Sequence, residues 1–452
     1  MQTRSIPALV LLAATAVGAP AHAGSGAAAA ATCKTRSQEI LQAMRSGHYD
    51  DATRHFDARM AEALPAAKIG QVWGTMLPAQ VGAFVAADAP VASTVQGHSL
   101  VQTPLHFSNG GLIMRVACQA DGSVGGLFFV PLPADPGKAP SAGLPAGIRE
   151  VPKQVPSPPG ELPGVLTLPA GKGPFPAAVL LAGSGPNDMD ETIGPNKPLR
   201  DIALGLAEAG IATLRYDKRT RVYGPRLAGQ SITVDQEVTD DALAALHELR
   251  ALPQIDRARV FVVGHSLGAL MAPRIARRDG HLAGAVLLAA PERLDLALVV
   301  RQLRYIEGLG GAYAAVGKQI PAIETARDAL AAADPAHPPQ GLFFHAPAAY
   351  WLSLRDYDAI DASRAIHTPL LVLQGLADYQ VGADFARWQR AFDGSTRVRL
   401  HGYPGLSHLF MPAGKPPSPA DYGKAGHVDP AVIRDMASWM LARPPVGLHE
   451  PG

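Results

Sequence analysis

The sequence lacks the features that bind nucleic acids, metals or nucleotide cofactors. Its 452 residues contain 40 Lys and Arg against 39 Asp and Glu, so the formal net charge is only +1. No polybasic run or basic stripe stands out, and a chain of this kind has no basic surface for nucleic acids or anionic membranes. Walker-type, Gly-x-Gly-x-x-Gly and His-Glu-x-x-His patterns do not occur either. We therefore expect no cofactor, no metal and no nucleic-acid partner.

Long apolar runs are also scarce. The run at residues 6–17 follows a short basic start and precedes an Ala-His-Ala sequence at 21–23, which is typical of a secretory signal peptide. We expect residues 1–23 to be removed on export, so that the mature protein is periplasmic or secreted. No other run approaches the ~18 apolar residues that cross a bilayer, and we expect no membrane span in the mature chain.

Cysteine is nearly absent, since Cys33 and Cys118 are the only two in the chain. Export would bring both residues into a compartment where disulfides persist, and a bond between them is one interpretation. The other interpretation is that they are two separate buried thiols. Neither cysteine stands near a histidine motif, so neither is a candidate nucleophile.

The most informative positive feature is the pentapeptide Gly-His-Ser-Leu-Gly at residues 264–268. It follows a β-branched apolar run and precedes a helical pattern. A Gly-x-Ser-x-Gly turn between a strand and a helix is how α/β-hydrolases present a nucleophilic serine. Glycines two residues before and two after the serine allow the backbone to turn sharply. The pattern predicts Ser266 as the nucleophile.

An acid and a base follow Ser266 in the chain order of α/β-hydrolases. Asp378 comes just after an apolar strand predicted at 369–373, where a carboxylate reaches the edge of the sheet at which ligands bind. His408 lies in the loop after the strand predicted at 398–401. We therefore expect a Ser266, Asp378, His408 triad. Position in the chain disfavours the rival acids and bases, which are Asp384, Asp393, His401 and His427.

The oxyanion hole is predicted in the loop of small residues at 182–188, which follows an apolar strand at 177–181. Small residues let main-chain N–H groups approach a developing negative charge. We expect the N–H groups of Ser184 and Leu267 to be the two donors, with Gly183 as the alternative to Ser184. An ordinary glycine-rich turn is the other interpretation of this loop.

Strands alternate with helical patterns over residues 161–445, which predicts a mostly parallel sheet with helices on both faces. The alternation stops at about 291–362, where we expect a helical cap over the serine. Aromatic residues of this insertion are candidates for the substrate pocket, although packing of the cap onto the core would explain them equally well: Phe343, Phe344, Tyr350 and Trp351.

Residues 33–130 read differently from the rest of the chain. Helical periodicity gives way to alternating strands with an Asn-Gly hairpin turn, which predicts a separate small α+β domain. The proline-rich stretch at 131–160 is predicted as a stiff linker. Two domains also suit the length, because about 430 residues exceed what one hydrophobic core normally holds.

Several motifs together resemble the EstD-type bacterial carboxylesterases, a family of the α/β-hydrolase superfamily that is also grouped with serine aminopeptidases. The likeness rests on residues 183–190, 194–198 and 215–219, and on Gly-x-x-Asp-x-x-Val at 375–381. Ala269 and Ser407 depart from the family pattern, where a glycine and an asparagine are common. Residues 33–130 resemble the cystatin-like domain of unknown function that often precedes such hydrolases.

The resemblance implies a serine esterase that cleaves short-to-medium acyl esters through an acyl-enzyme, and the signal sequence implies that it is exported. A small-molecule ester is the partner that this activity requires, and the oligomeric state stays open. A serine aminopeptidase or other amide hydrolase is the nearest alternative, and the cap would then need an acid for the substrate amine, such as Glu307, Glu324 or Asp328. A non-catalytic periplasmic binding protein on the same scaffold is an alternative of another class.

Overall fold

The structure is a computed structural model that describes residues 25–95, 98–108, 110–131, 144–227 and 230–447. The predicted signal peptide at 1–23 lies outside the described residues. The chain divides into two compact units, with the boundary between residues 134 and 135. Within the described part of the chain, no helix is both long enough and apolar enough to span a bilayer.

The N-terminal unit consists of helices followed by an antiparallel sheet, and the prediction of a separate α+β fold is confirmed. The strands are ordered β1-β3-β4-β5, with β2 also paired to β3. The elements are α1 Ser25–Arg45, α2 Tyr49–Thr53, α3 Ala58–Ala63, α4 Ala66–Gln71, a π-helical turn Val72–Met76, α5 Leu77–Val81, β1 Phe84–Ala87, β2 Val91–Val95, β3 His98–Phe107, β4 Gly110–Cys118 and β5 Val124–Pro131.

Helix α1 packs on the sheet of this unit through one apolar face. Ile40 and Met44 of the helix are buried together with Leu105 and Met114 of the sheet. Cys33 on the same helix forms a disulfide with Cys118 at the end of β4, with a Cα–Cα distance of 5.7 Å. The bond therefore joins the first helix to a central strand of the sheet.

The hydrolase unit contains, among its described residues, an eight-stranded sheet in the order β15-β14-β11-β10-β8-β9-β7-β6. Pairs from β15 to β9 are parallel, whereas β7 and β6 are antiparallel at one edge. The mostly parallel sheet is as predicted. The strands are β6 Arg149–Ser157, β7 Gly160–Leu168, β8 Phe175–Leu181, β9 Ala212–Tyr216, β10 Ile255–His265, β11 Gly284–Leu288, β14 Leu370–Gly375 and β15 Val398–Tyr403, and a separate hairpin is formed by β12 Leu342–Phe343 and β13 Ala346–Pro347.

The prediction that the linker extends to residue 160 is wrong, because Arg149–Ser157 forms the edge strand β6. This strand pairs with β7 along its whole length, from Arg149 opposite Leu168 to Ser157 opposite Gly160. Proline lacks the N–H of a sheet ladder, and edge strands tolerate it because one side of the strand has no partner. The prolines that suggested a linker are thus compatible with a strand at this edge. Residues 132–143 of the predicted linker lie outside the described residues.

Helices cover both faces of the sheet because successive side chains of its central strands point to opposite faces. Phe261 and Val263 of β10 pack with α6 and α16, whereas Val260 and Val262 pack with α9 and α10. The helices outside the cap are α6 Pro198–Glu208, α7 Arg219–Val222, α8 Gly224–Leu227, a π-helical turn Asp235–Thr239, α9 Asp240–Arg250, α10 Leu267–Asp279, α14 Ala359–Arg364, a short 3₁₀ turn Gly382–Asp384, α15 Phe385–Ala391, a 3₁₀ turn Pro419–Gly423 and α16 Pro430–Leu441.

The insertion between β11 and β14 has a small apolar core of its own, as expected for a cap. Its helices are α11 Leu296–Gly308, the 3₁₀ segment Gly311–Gln319, α12 Ile320–Ala332 and α13 Ala348–Leu352, which share buried residues such as Val300, Ile323 and Trp351. Helix α14 instead contributes Ala359 and Ile360 to the core under the sheet. The cap therefore ends before α14, a few residues earlier than residue 362.

Removal of the disulfide should destabilise the N-terminal unit. The two cysteines are 85 residues apart, and cross-linking a loop of this length stabilises a fold by about 4–5 kcal/mol in the loop-entropy model. We expect the Cys33→Ser/Cys118→Ser variant to lose most of this free energy of unfolding in urea titrations. The wild type under strong reductant should unfold like the variant, and the variant should not respond to reductant. Equal unfolding midpoints for oxidised and reduced wild type would contradict the prediction.

Candidate active site

Ser266 lies at the sharp turn between β10 and α10. Its backbone has φ 53° and ψ −112°, a left-handed conformation that is unfavourable for a residue with a side chain. The main-chain N–H of Ser266 donates to the carbonyl of Leu288 on the neighbouring strand (2.9 Å). Strain at this turn is the property that exposes a nucleophile at the top of an α/β-hydrolase sheet.

The glycines around Ser266 are required by close backbone contacts. A Cβ atom on Gly264 would lie 2.2 Å from the carbonyl oxygen of Gly268, and one on Gly268 would lie 2.5 Å from that of Leu181. Real Cβ atoms do not approach backbone oxygens so closely, and backbone in this position cannot move aside without displacing β8 or α10. The two glycines therefore let the helix begin directly against the sheet.

Asp378 and His408 form a buried hydrogen-bonded pair at the carboxyl ends of β14 and β15. Oδ2 of Asp378 lies 2.7 Å from Nδ1 of His408 and also accepts from the amide of Gln374 (2.9 Å). Oδ1 accepts from the N–H groups of Gln380 and Val381. Burial would raise the pKa of Asp378, but His408 and these donors outweigh it and lower the pKa below its ordinary value.

The ionised carboxylate decides which nitrogen of His408 is protonated. Asp378 can only accept, so Nδ1 of His408 carries the hydrogen and Nε2 is left to act as a base. Ser266 and His408 line the same cavity, whose volume is about 600 Å³. The structure therefore brings the three predicted triad residues to one edge of the sheet.

The two predicted oxyanion-hole donors also line this cavity. Leu267 is the first residue of α10, and the first N–H groups of a helix have no partner within the helix. The N–H of Gly183 is already engaged, since it donates to Oε1 of Glu191 (2.7 Å). In the part of the chain that the structure describes, no group accepts from the N–H of Ser184. Ser184 thus fits the role of donor better than Gly183.

Three of the four predicted pocket aromatics line the cavity, namely Phe344, Tyr350 and Trp351. Phe343 does not, and its assignment to the pocket is wrong. It belongs to the hairpin strand β12 and packs against the core of the cap, while its carbonyl accepts from the indole N–H of Trp351 (2.6 Å). Phe344 is the next residue, in the hairpin turn with φ 42°, and unlike Phe343 it lines the cavity.

The rival acids and bases have other partners or lie outside the cavity. Asp384 pairs with Arg301 (2.8 Å), and the exposed His427 bonds Asp201. The acids considered for an aminopeptidase, Glu307, Glu324 and Asp328, are likewise absent from the lining, and Glu324 pairs with Arg304 instead. Asp393 and His401 also lie elsewhere in the fold.

Buried charged residues around the site were missed by sequence reasoning. Glu191 and His265 form a pair next to Asp378 and His408, and Lys218 donates to the carbonyl of Gly183 (3.0 Å). Sequence motifs could have pointed to two of these residues, because Lys218 belongs to the Arg-Tyr-Asp-Lys-Arg motif and His265 to the pentapeptide. Within the described ranges, no group of three or more His, Cys, Asp or Glu side chains is arranged to hold a metal ion.

Substitution of Gly268 by alanine should abolish both folding of the site and activity. The new Cβ would meet the carbonyl of Leu181 at 2.5 Å, and such overpacking should cost about 1–3 kcal/mol of stability, or more where backbone atoms overlap. We expect Gly268→Ala to be mostly insoluble or to melt well below the wild type. Gly308→Ala at the end of α11 is the matched control, because nothing lies within 4 Å of its Cβ position. Wild-type activity of Gly268→Ala would refute this account of the turn.

Comparison with known proteins agrees with the fold. Residues 178–416 match the family described as alpha/beta hydrolase family. Residues 37–127 match a protein of unknown function, DUF3887. Esterase EstD of Thermotoga maritima is 34% identical over 403 residues, which are 89% of this chain and 94% of that protein.

Solved structures with a similar fold are much more distant in sequence. Est1E from Butyrivibrio proteoclasticus has 15% identity and a TM-score of 0.42, over 65% of this chain and 99% of its own. An esterase from the archaeon Pyrobaculum calidifontis has 16% identity and a TM-score of 0.42, over 65% of this chain and 85% of its own. The family of this chain is shown by the match over residues 178–416 and by the 34% identity to esterase EstD. The chain belongs to the α/β-hydrolase family as a homologue of esterase EstD, and it is a carboxylic ester hydrolase preceded by a DUF3887 domain.

Proposed function

We propose that this esterase acts through a catalytic triad of Ser266, Asp378 and His408 on short-to-medium acyl esters outside the cytoplasm. The observation that carries the proposal is the buried Asp378–His408 hydrogen bond of 2.7 Å beside a cavity that Ser266 also lines. A serine, an oriented histidine and a supporting carboxylate are the groups that acyl transfer requires.

The proposed reaction has two stages, acylation of Ser266 and hydrolysis of the acyl-enzyme. Nε2 of His408 takes the proton of the Ser266 hydroxyl as Oγ attacks the ester carbonyl, and Asp378 stabilises the imidazolium. The N–H groups of Leu267 and Ser184 bind the oxygen of the tetrahedral intermediate. His408 then gives its proton to the leaving alcohol, and the acyl group stays on Ser266. A water molecule, deprotonated by His408, attacks the acyl-enzyme. His408 then gives this proton to Oγ of Ser266 as the bond to the acyl carbon breaks, so the carboxylic acid leaves and the serine hydroxyl is restored.

The cavity favours uncharged acyl groups. Most of its wall is apolar, and the cap contributes three of its aromatic residues, Phe344, Tyr350 and Trp351. A volume of about 600 Å³ is in the usual range of small-molecule pockets. Both acidic residues of the lining are engaged: Glu191 bonds His265, and Glu237 lies 3.3 Å from Lys218 and accepts from Tyr350. No unpaired carboxylate among the described lining residues is therefore available for a substrate α-amine, which favours an esterase over an aminopeptidase.

Export is a further part of the proposal. The N-terminal sequence has the basic, apolar and small-residue segments of a signal peptide. The disulfide between Cys33 and Cys118 supports the same location, because such bonds persist in oxidising compartments. A periplasmic or secreted enzyme agrees with both observations.

Ser266→Ala should remove the activity. We expect kcat with p-nitrophenyl butyrate to fall about 10⁴- to 10⁶-fold, as when the nucleophile of a serine hydrolase is lost. A fluorophosphonate probe should label the wild type at Ser266 and leave the variant unlabelled. Ser363→Ala is the matched control, because this buried hydroxyl has no hydrogen-bond partner among the described residues and lies outside the cavity. Full activity of Ser266→Ala would overturn the triad, and an unlabelled wild type would favour the non-catalytic binding protein.

The enzyme should hydrolyse ester substrates much more efficiently than amide substrates. We expect kcat/KM for p-nitrophenyl acetate or butyrate to exceed that for aminoacyl p-nitroanilides by at least about 100-fold, because the lining offers no free acid for the amine. An N-acetylated nitroanilide is the control, since it removes the charge of the amine and keeps the amide. A preference for the free-amine nitroanilide over both other substrates would favour the aminopeptidase.

A further inference from the structure

A second buried histidine–carboxylate pair lies beside the Asp378–His408 pair. Nδ1 of His265 is 2.9 Å from Oε1 of Glu191, and the two side chains are only 5% and 2% exposed. The rings of His265 and His408 are 4.7 Å apart between centroids. His265 is the residue directly before Ser266, so the pair lies immediately next to the nucleophile.

Hydrogen bonding indicates that His265 carries a positive charge. Its Nε2 lies 2.9 Å from the main-chain carbonyl of His408, which can only accept. Its Nδ1 faces the Glu191 carboxylate, which also accepts the N–H of Gly183. Burial lowers the pKa of His265, but Glu191 and the carbonyl of His408 outweigh this and raise the pKa above its ordinary value. With both nitrogens donating, the ring is an imidazolium paired with a carboxylate.

The backbone of Glu191 is held in an unfavourable conformation. Its φ is 52°, a left-handed value that residues with side chains rarely adopt. Its second carboxylate oxygen, Oε2, is buried without a hydrogen-bond partner in the described structure. Features of this kind persist where the surrounding structure holds them, and they concentrate at functional sites.

We propose that Glu191 and His265 are positioning residues for the reaction at Ser266. Glu191 binds the N–H of Gly183, and this orients the next N–H in the chain, that of Ser184, toward the oxyanion. His265 binds the carbonyl of His408 and thereby fixes the backbone that carries the catalytic imidazole. The pair thus joins the oxyanion loop, the nucleophile turn and the histidine loop. The proposal rests on the triad and oxyanion hole assigned above.

The charges of the pair also matter for the transition state. Glu191 lines the cavity, and an unpaired carboxylate there would oppose the negative charge that develops on the substrate oxygen. The imidazolium of His265 neutralises it. Ground-state binding of an uncharged ester involves no such charge, so the effect of the pair should appear in kcat and not in KM.

Glu191→Gln tests the proposal because it keeps the shape of the side chain and removes its charge. His265 would then lose its second proton and one of its two hydrogen bonds. We expect kcat for p-nitrophenyl butyrate to fall about 10- to 100-fold with KM changed less than about twofold, since loss of a single oxyanion donor costs 10²–10³ in kcat. The affinity for a phenylboronic acid, which forms a tetrahedral adduct with the serine, should fall by a similar factor.

Asp279→Asn is the matched control. Asp279 also has a carboxylate that is only 6% exposed, and it accepts from a cation, Arg250 (2.5 and 2.8 Å), and from a main-chain N–H, that of His281 (3.1 Å). It lies at the opposite end of α10 from Ser266. A merely structural role for Glu191 predicts that both variants lose stability and that neither changes kcat or boronic acid affinity, and this outcome would overturn the proposal.

His265→Gln and the Glu191→Gln/His265→Gln double variant complete the experiment. The single His265→Gln variant removes the positive charge. If Glu191→Gln does not accumulate as folded protein, kcat, KM and phenylboronic acid affinity are measured on His265→Gln instead, with the same expected changes. Because the two residues act as one unit, we expect the double variant to lose no more in kcat than the more affected single variant. Additive losses would overturn the coupling. Ser266→Ala separates a failure of this proposal from a failure of the proposed triad. If Ser266→Ala is inactive and Glu191→Gln is fully active, the triad stands and only the positioning role is refuted.

Discussion

The close approach of three backbone segments at the nucleophile turn is the constraint on which the rest of the site depends. The turn is possible because Gly264 and Gly268 have no Cβ atom. A Cβ on Gly264 would lie 2.2 Å from the carbonyl oxygen of Gly268, and one on Gly268 would lie 2.5 Å from that of Leu181. With α10 seated directly against β8 and β10, Ser266 takes a backbone conformation with positive φ, and Leu267, the first residue of the helix, lines the cavity. The positions of the proposed nucleophile and of one proposed oxyanion donor are therefore consequences of the same packing.

Buried charge pairs organise the loops that complete the site. Asp378 and His408 come from the ends of neighbouring parallel strands, whereas Glu191 and His265 join the loop after β8 to the nucleophile turn. Burial of a single charge is costly, and removal of one partner leaves the other uncompensated. Each pair consequently holds two segments in a defined relation, and this rigidity is what preorganised electrostatic catalysis requires.

Much of the fold was predictable because its signals are local. The alternation of strands and helices gave the mostly parallel sheet, and the change from helical to strand periodicity gave the N-terminal α+β domain. Prediction failed where composition competes with sheet position: the prolines of residues 149–157 suggested a linker, although an edge strand tolerates them. It also failed for Phe343, because a two-residue strand gives too short a pattern to reveal which face its side chains occupy.

The sequence by itself determined the nature of the reactive groups: a serine between two glycines, an aspartate after a strand and a histidine in a later loop, all in the order of an α/β-hydrolase. Only the tertiary structure decided which nitrogen of His408 bonds Asp378, that the N–H of Gly183 is engaged, and that Glu191 and His265 pair. The physical reason is that motifs follow from local backbone geometry, whereas the partners of a buried charge come from segments far apart in the chain. Glu191 and His265 are separated by 74 residues, and no local pattern relates them.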